Sequence, residues 1–92
     1  MMLTLKATSQ FKKDYKRMKK RGQNMRLLQD VIACLLAEKP LDLSFRDHPL
    51  IGDYAGFREC HILPDWLLIY RYENEALYLI LARTGTHSDL FK

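Results

Sequence analysis

The sequence predicts an α+β domain: an N-terminal strand, a hairpin of two helices, then an antiparallel three-stranded meander with both helices packed on one face of the sheet. Three observations carry that reading. Leu3, Leu5 and Ala7 alternate with Thr4 and Lys6, the period of a half-buried strand. Between Phe11 and Leu36 two stretches repeat their apolar residues at helical spacing. Beyond Gly56 the chain is rich in aromatic and β-branched residues, interrupted only by short turn-forming segments. At 92 residues these elements share one core, a single domain over 1–92 with no room for a cofactor domain.

Thr8 or Ser9 offers the cap of the first helix, and Phe11, Tyr15 and Met18 form a narrow apolar stripe at i, i+4, i+7. Gly22 supplies its stop. The second helix begins near Asn24, places Leu27, Leu28, Val31, Ile32, Leu35 and Leu36 on one side, and ends before Lys39-Pro40. Residues 40–53, with two prolines, a glycine and no sustained period, read as an ordered loop. Three strands follow, from Phe57 to Ile62, Trp66 to Glu73 and Ala76 to Thr84. Leu63-Pro64-Asp65 and Asn74-Glu75 separate them, and connections this short imply antiparallel neighbours. The tail from Gly85 to Lys92 reads as a turn with one helical turn, Gly85 giving the backbone freedom to change direction. With the helices on one face, the other face of the sheet is free for function.

A hydrophobic fraction of 48% and a charged fraction of 28% suit an ordinary globular domain, and no apolar run reaches membrane-spanning length. Met1 to Ala7 lacks the charged and apolar regions of a signal peptide, so the expected compartment is the cytoplasm. Cys34 and Cys60 fit no metal spacing and read as small buried residues of a reducing compartment. The net charge of +4 is unevenly spread: nine basic residues lie between Lys6 and Arg26 against one acid, Asp14. Such a block tracks a phosphate backbone, docks an acidic protein, or is simply a solvated helix face.

Three histidines occur, His48, His61 and His87. If the second hairpin turns about Asn74-Glu75, Trp66 lies across from Arg83, and if the first turns near Leu63-Pro64, His61 lies across from Trp66. One end of the sheet then gathers His61, Asp65, Trp66 and Arg83, with Glu59 on the same face as His61 and His87 folded over from the tail. His48 joins only if the preceding loop crosses this edge. Metal-free RNA cleavage needs such a set: a base for the 2′-hydroxyl, an acid for the departing 5′-oxygen, and a permanent positive charge for the phosphate. Histidine suits both proton roles near neutrality, and Trp66 and Phe91 are candidates to stack on bases. Plainer roles are open for each: a half-buried structural histidine, a core Trp66, an Arg83 paired with Glu59 or Asp65, a turn residue at Asp65. His₃ is a catalytic zinc set, but the spacings of 13 and 26 residues match no local zinc signature, so neither metal nor cofactor is expected.

Four separated segments, Asp47-His48-Pro49-Leu50-Ile51-Gly52, Gly56-Phe57-Arg58-Glu59-Cys60-His61, Pro64-Asp65-Trp66 with Leu68-Ile69-Tyr70, and Arg83-Thr84-Gly85-Thr86-His87-Ser88-Asp89-Leu90-Phe91, together resemble the YafQ-type toxins of the RelE/ParE superfamily. The likeness extends over nearly the whole chain. It implies a RelE-like fold and an endoribonuclease of a type II toxin–antitoxin pair that cuts translated mRNA in the ribosomal A site. By position it marks His48, His61, Asp65 and His87 as catalytic, with Arg83 and Glu59 supporting phosphate or transition-state binding and Trp66 and Phe91 shaping the mRNA site. It also implies an acidic antitoxin, which gives Lys12, Lys13, Lys16, Arg17, Lys19 and Lys20 a docking role toward antitoxin or ribosome. Two competing readings are a ParE-like inhibitor of DNA gyrase without nuclease activity and a non-catalytic RNA-binding module. The three histidines argue against the first, and the second has only the basic helix in its favour.

Overall fold

The computed structural model describes residues 3–75 and 77–91. Strand β1 (Thr4–Ala7) leads into helix α1 (Ser9–Lys20), whose first turn is closed by the Thr8 side chain accepting from the Phe11 N–H at 2.9 Å. Gly22, at φ +82°, follows the helix end in the left-handed region. Asn24 caps helix α2 (Met25–Leu36) by accepting from the Arg26 N–H. Of the two caps offered by the sequence Thr8 is the one used, and the second helix starts just after Asn24, near the expected start.

Three further strands are β3 (Arg58–Leu63), β4 (Trp66–Glu73) and β5 (Tyr78–Gly85), followed by a short helix α3 (His87–Leu90). The segment read as a loop contributes a strand of its own, β2 (His48–Pro49), set between 3₁₀ turns at Leu43–Phe45 and Gly52–Tyr54. The sheet therefore has five strands, ordered β1-β5-β4-β3-β2, with β1 parallel to β5 and all other neighbours antiparallel. A two-residue strand containing proline has no period to read, which is why β2 escapes a pattern argument.

The strand register corrects the sequence expectation. Glu73 pairs with Tyr78, so the second hairpin spans four connecting residues, with Asn74 and Glu75 both at positive φ, rather than turning on those two alone. Ala76, expected to open the third strand, lies outside the described residues. A bulge then shifts the ladder again: Tyr70 faces Leu81 while Ile69 faces Arg83, leaving Ala82 as the extra residue. Arg83 consequently lies across from Ile69, not Trp66, and Trp66 faces Leu63 while His61 faces Leu67.

The main core forms where α1 and α2 lie on the sheet. Phe11, Met18, Leu28, Val31 and Leu35 pack against Cys60, Ile62, Trp66, Leu68, Tyr70, Leu79 and Leu81. Burial pushes the Cys60 thiol up to about 12, so it is a small apolar residue rather than a nucleophile. Trp66 is 1% exposed and donates its indole N–H to Thr84 Oγ1 at 2.9 Å. A ring so enclosed offers no face to a base, which corrects the stacking role expected for it. On the opposite face a smaller cluster of Leu67, Ile69, Ala82 and Leu90 is roofed by Leu50, Tyr54 and Phe57, leaving part of that face open toward β2 and β3.

β1 stops at Ala7, opposite Leu81, so the remaining edge of β5 needs other partners. Helix α1 supplies them. The Thr8 hydroxyl donates to the Ala82 carbonyl at 2.8 Å, and the Asp14 carboxylate accepts from the Thr84 N–H at 3.2 Å. Asp14 has no exposed surface and also accepts from Arg83 Nε at 2.7 Å, Arg17 Nη2 at 3.1 Å and Gln10 Nε2 at 3.0 Å. A buried carboxylate with four donors is satisfied; removing it orphans Arg83 and a backbone N–H together. Asp14→Ala is expected to lower unfolding free energy by about 3–5 kcal/mol. Lys12→Ala on the exposed side of the same helix should change it by no more than about 0.5 kcal/mol. Urea unfolding of the two variants measures the contrast.

Candidate active site

β2 places His48 beside Glu59 of β3, and the link to the sheet is Asp47. Its carboxylate accepts from Arg58 Nε at 3.1 Å and from the Tyr70 hydroxyl at 2.8 Å, and burial together with that bond pushes the Tyr70 phenol far above its ordinary range. Arg46, at φ +51°, turns its carbonyl to within 2.6 Å of His48 Nδ1. A carbonyl can only accept, so Nδ1 carries the hydrogen and Nε2 is the free nitrogen. The loop thus crosses the sheet edge and brings His48 in.

Glu59 is 5% exposed and stands between two rings, 3.2 Å from His61 Nε2 and 3.7 Å from His48 Nε2. The two rings lie 6.2 Å apart between centroids. His87 approaches from the other side, 5.7 Å from His61. As the first residue of α3 it directs both its backbone N–H, at 2.9 Å, and its Nδ1, at 2.6 Å, to Asp65 Oδ1. Those two contacts, the backbone one first, hold the Asp65 carboxyl below its usual range. Asp65 fixes the tautomer of His87 as the Arg46 carbonyl fixes that of His48, and in the neutral ring Nε2 is again the nitrogen without the hydrogen. Beside His61 a cleft of about 420 Å³ runs between the Ser44–Arg46 turn and the β3–β4 turn at Leu63 and Pro64.

His48, Glu59, His61, Asp65 and His87 therefore come together. Arg83 does not join them as expected: its partners are Asp14 and, at 3.3 Å, the Tyr54 hydroxyl, rather than Glu59 or Asp65. Its cause is the register shift described above. Phe91 is 43% exposed and sets its ring edge-on to Tyr54 at 5.7 Å, at the rim of the second cluster. Lys12, Lys13, Lys16, Lys19 and Lys20 are exposed on α1, whereas Arg17 is drawn to Asp14.

Two residues near the site carried no role in the sequence reading. Tyr54, which ties Arg83 to Phe91, sits in an irregular segment with no signal to mark it. Asp89 did have one, since Thr86 three residues ahead of an acid is the spacing of a capping box. Linear spacing also missed a possible donor set: one ligand atom each from Glu59, His61 and His87 lies within 4.8 Å of the others. A carboxylate oxygen with two imidazole nitrogens is a set that suits zinc or copper.

Comparison with known proteins identifies the family. The profile of a family of bacterial toxins of type II toxin–antitoxin systems, YafQ, matches residues 3–92. The mRNA interferase toxin YafQ of Escherichia coli K12 is 39% identical over 85 residues, covering 91% of this chain and 90% of that protein. Among solved structures, a metal-bound toxin from Helicobacter pylori superposes with a TM-score of 0.90 at 43% identity, over 98% of this chain and 100% of that one. The E. coli DinJ–YafQ toxin–antitoxin complex matches with a TM-score of 0.90 at 35% identity over the full length of both chains. The chain belongs to the YafQ family of bacterial type II toxin–antitoxin toxins.

Proposed function

We propose that this toxin is a ribosome-dependent endoribonuclease of the cytoplasm that cleaves mRNA by acid–base catalysis without a metal, restrained by an acidic antitoxin. The observation that supports it most is the convergence of three imidazoles around the buried Glu59, two of them with Nδ1 already engaged. His48 and His87 flank His61, and each presents Nε2. One removes the proton of the 2′-hydroxyl as its oxygen attacks phosphorus, and the other protonates the 5′-oxygen as the P–O bond breaks. The products are a cyclic phosphate and a 5′-hydroxyl. Glu59 holds the His61 ring, and His61 meets the negative charge that builds on the phosphoryl oxygens. Phe91 flanks the mRNA, a role for which its half-exposed ring has the surface that Trp66 lacks. The E. coli relative is an mRNA interferase and its complex with DinJ is a toxin–antitoxin complex, which supports the same activity and kind of partner here.

His87→Gln keeps size and hydrogen bonding but cannot transfer a proton, so single-turnover cleavage on programmed ribosomes should fall by about two to four orders of magnitude. Ribosome affinity should change far less, because a proton is needed only in the transition state. Cleavage within a few-fold of the parent would move the acid–base pair to His48 and His61.

The exposed lysines of α1 support docking to ribosomal RNA or to the antitoxin. Reversing Lys12, Lys13, Lys16 and Lys19 to glutamate should weaken ribosome binding and flatten its dependence on salt. Equal affinity across a salt series would return this helix to a solvated face.

The donor set at Glu59, His61 and His87 gives a third test, since a transition-metal ion there would occupy His87, one of the two rings that move protons, together with His61. Toxin dialysed against a chelator before addition to ribosomes should keep its full activity, and stoichiometric Cu²⁺ or Zn²⁺ should inhibit it. Activity lost on chelation and restored by the ion would overturn the metal-free reading.

A further inference from the structure

The catalytic reading of His87 raises a physical question: what holds the ring still. Helix α3 is one turn long, and a single turn has little stability of its own in water. Besides the contacts of His87 with Asp65, three others fix it. Leu90 is buried against the second cluster. Thr86 and Asp89 form a reciprocal capping box, Thr86 Oγ1 accepting from the Asp89 N–H at 3.1 Å and Asp89 Oδ2 accepting from the Thr86 N–H at 2.9 Å. Arg21, just past the end of α1, grips the Asp89 carboxylate with both Nη atoms, at 2.6 and 3.1 Å, with Arg17 behind it at 3.9 Å.

We propose that Asp89 and Arg21 are positioning residues for His87: their bidentate pair anchors the junction of β5 and α3 to the end of α1, and so sets the angle at which the imidazole meets Asp65.

Two further observations bear on this. A Cβ at Gly85 would lie 2.9 Å from Asp89 Oδ2 and 3.0 Å from its Cβ, so glycine is required there because Asp89 is pressed against the strand. That is a different reason from the turning freedom the sequence suggests, since Gly85 is not among the residues at positive φ. The Asp89 carboxyl is also held far below its usual range, chiefly by Arg21, with the Thr86 contacts adding to it. Capping needs only an oxygen, which an asparagine supplies. Pairing with Arg21 needs the charge and the fork geometry, so the two functions of Asp89 can be separated by substitution.

The test uses Asp89→Asn, Arg21→Gln and the double variant. Arg21 is on the exposed end of a helix, so its replacement leaves the cap and the core intact. Each single variant should lower single-turnover kcat by about ten- to a hundredfold, with KM for programmed ribosomes within about twofold of the parent. The double variant should be no worse than either single one, and Arg21→Lys, which keeps the charge, should recover part of the rate. Imidazole ¹⁵N spectra should show His87 losing its Nδ1–H contact with Asp65 in Asp89→Asn. Unchanged ring signals together with unchanged kcat, or losses that add in the double variant or fall on KM, would overturn the assignment. Should Asp89→Asn shift the ring while His87→Gln cleaves like the parent, the catalytic reading fails and the anchoring role stands. Unshifted signals with an inactive His87→Gln have the opposite meaning.

Discussion

A carboxylate with no access to water organises this toxin. Asp14 must find enough donors to offset the loss of its hydration, and it draws them from Gln10 and Arg17 of its own helix and from the stretch of β5 beyond the end of β1. Satisfying it fixes helix α1 along that edge, commits the Arg83 guanidinium, and closes a backbone position that a sixth strand would otherwise fill. The rest of the site hangs from the same edge. α3 continues directly from β5, Tyr54 reaches down to Arg83, and Phe91 rests on Tyr54. One ion cluster between helix and strand thus determines where the tail leaves the sheet.

The site itself combines side chains of different exposure. Glu59 and His61 come from the middle of a strand, 6% and 15% exposed at their side chains, while the His48 and His87 side chains are 47% and 53% exposed. The buried pair is fixed by the sheet and the exposed pair by single polar tethers, the Arg46 carbonyl and Asp65. Such a division encloses the Glu59–His61 pair and leaves the other two imidazoles open to solvent.

What the sequence made legible follows from how local each rule is. Thr8 was readable as a cap, Asn24 as the neighbourhood of the second helix's start and the helix pair as amphipathic, because capping and period depend on neighbours within a few residues. Glu59 and His61 were placed on one face by the two-residue period of a strand. Register was not readable, because a four-residue hairpin and a bulge at Ala82 each displace the ladder, and neither leaves a mark in composition. That displacement separated Arg83 from Trp66 and removed both from the positions expected for them. Trp66 looked like a stacking platform because its partner, the Thr84 hydroxyl, is 18 residues away in the chain. Asp14 was within reach: it falls three residues after Phe11 and four before Met18, on the stripe that packs inward. A lone acid among the basic residues of α1 was counted as charge when its position pointed to the core.

The outermost strand has one more consequence. β2 is two residues long and ends in Pro49, which has no N–H to give. Open sheet edges invite other chains to add a strand, and an edge this short, finished by proline, offers almost no template for that growth. His48 therefore lies on a border of the sheet that gives little purchase for strand addition. A second copy seeking a strand to pair with finds no ladder of backbone donors beside that imidazole.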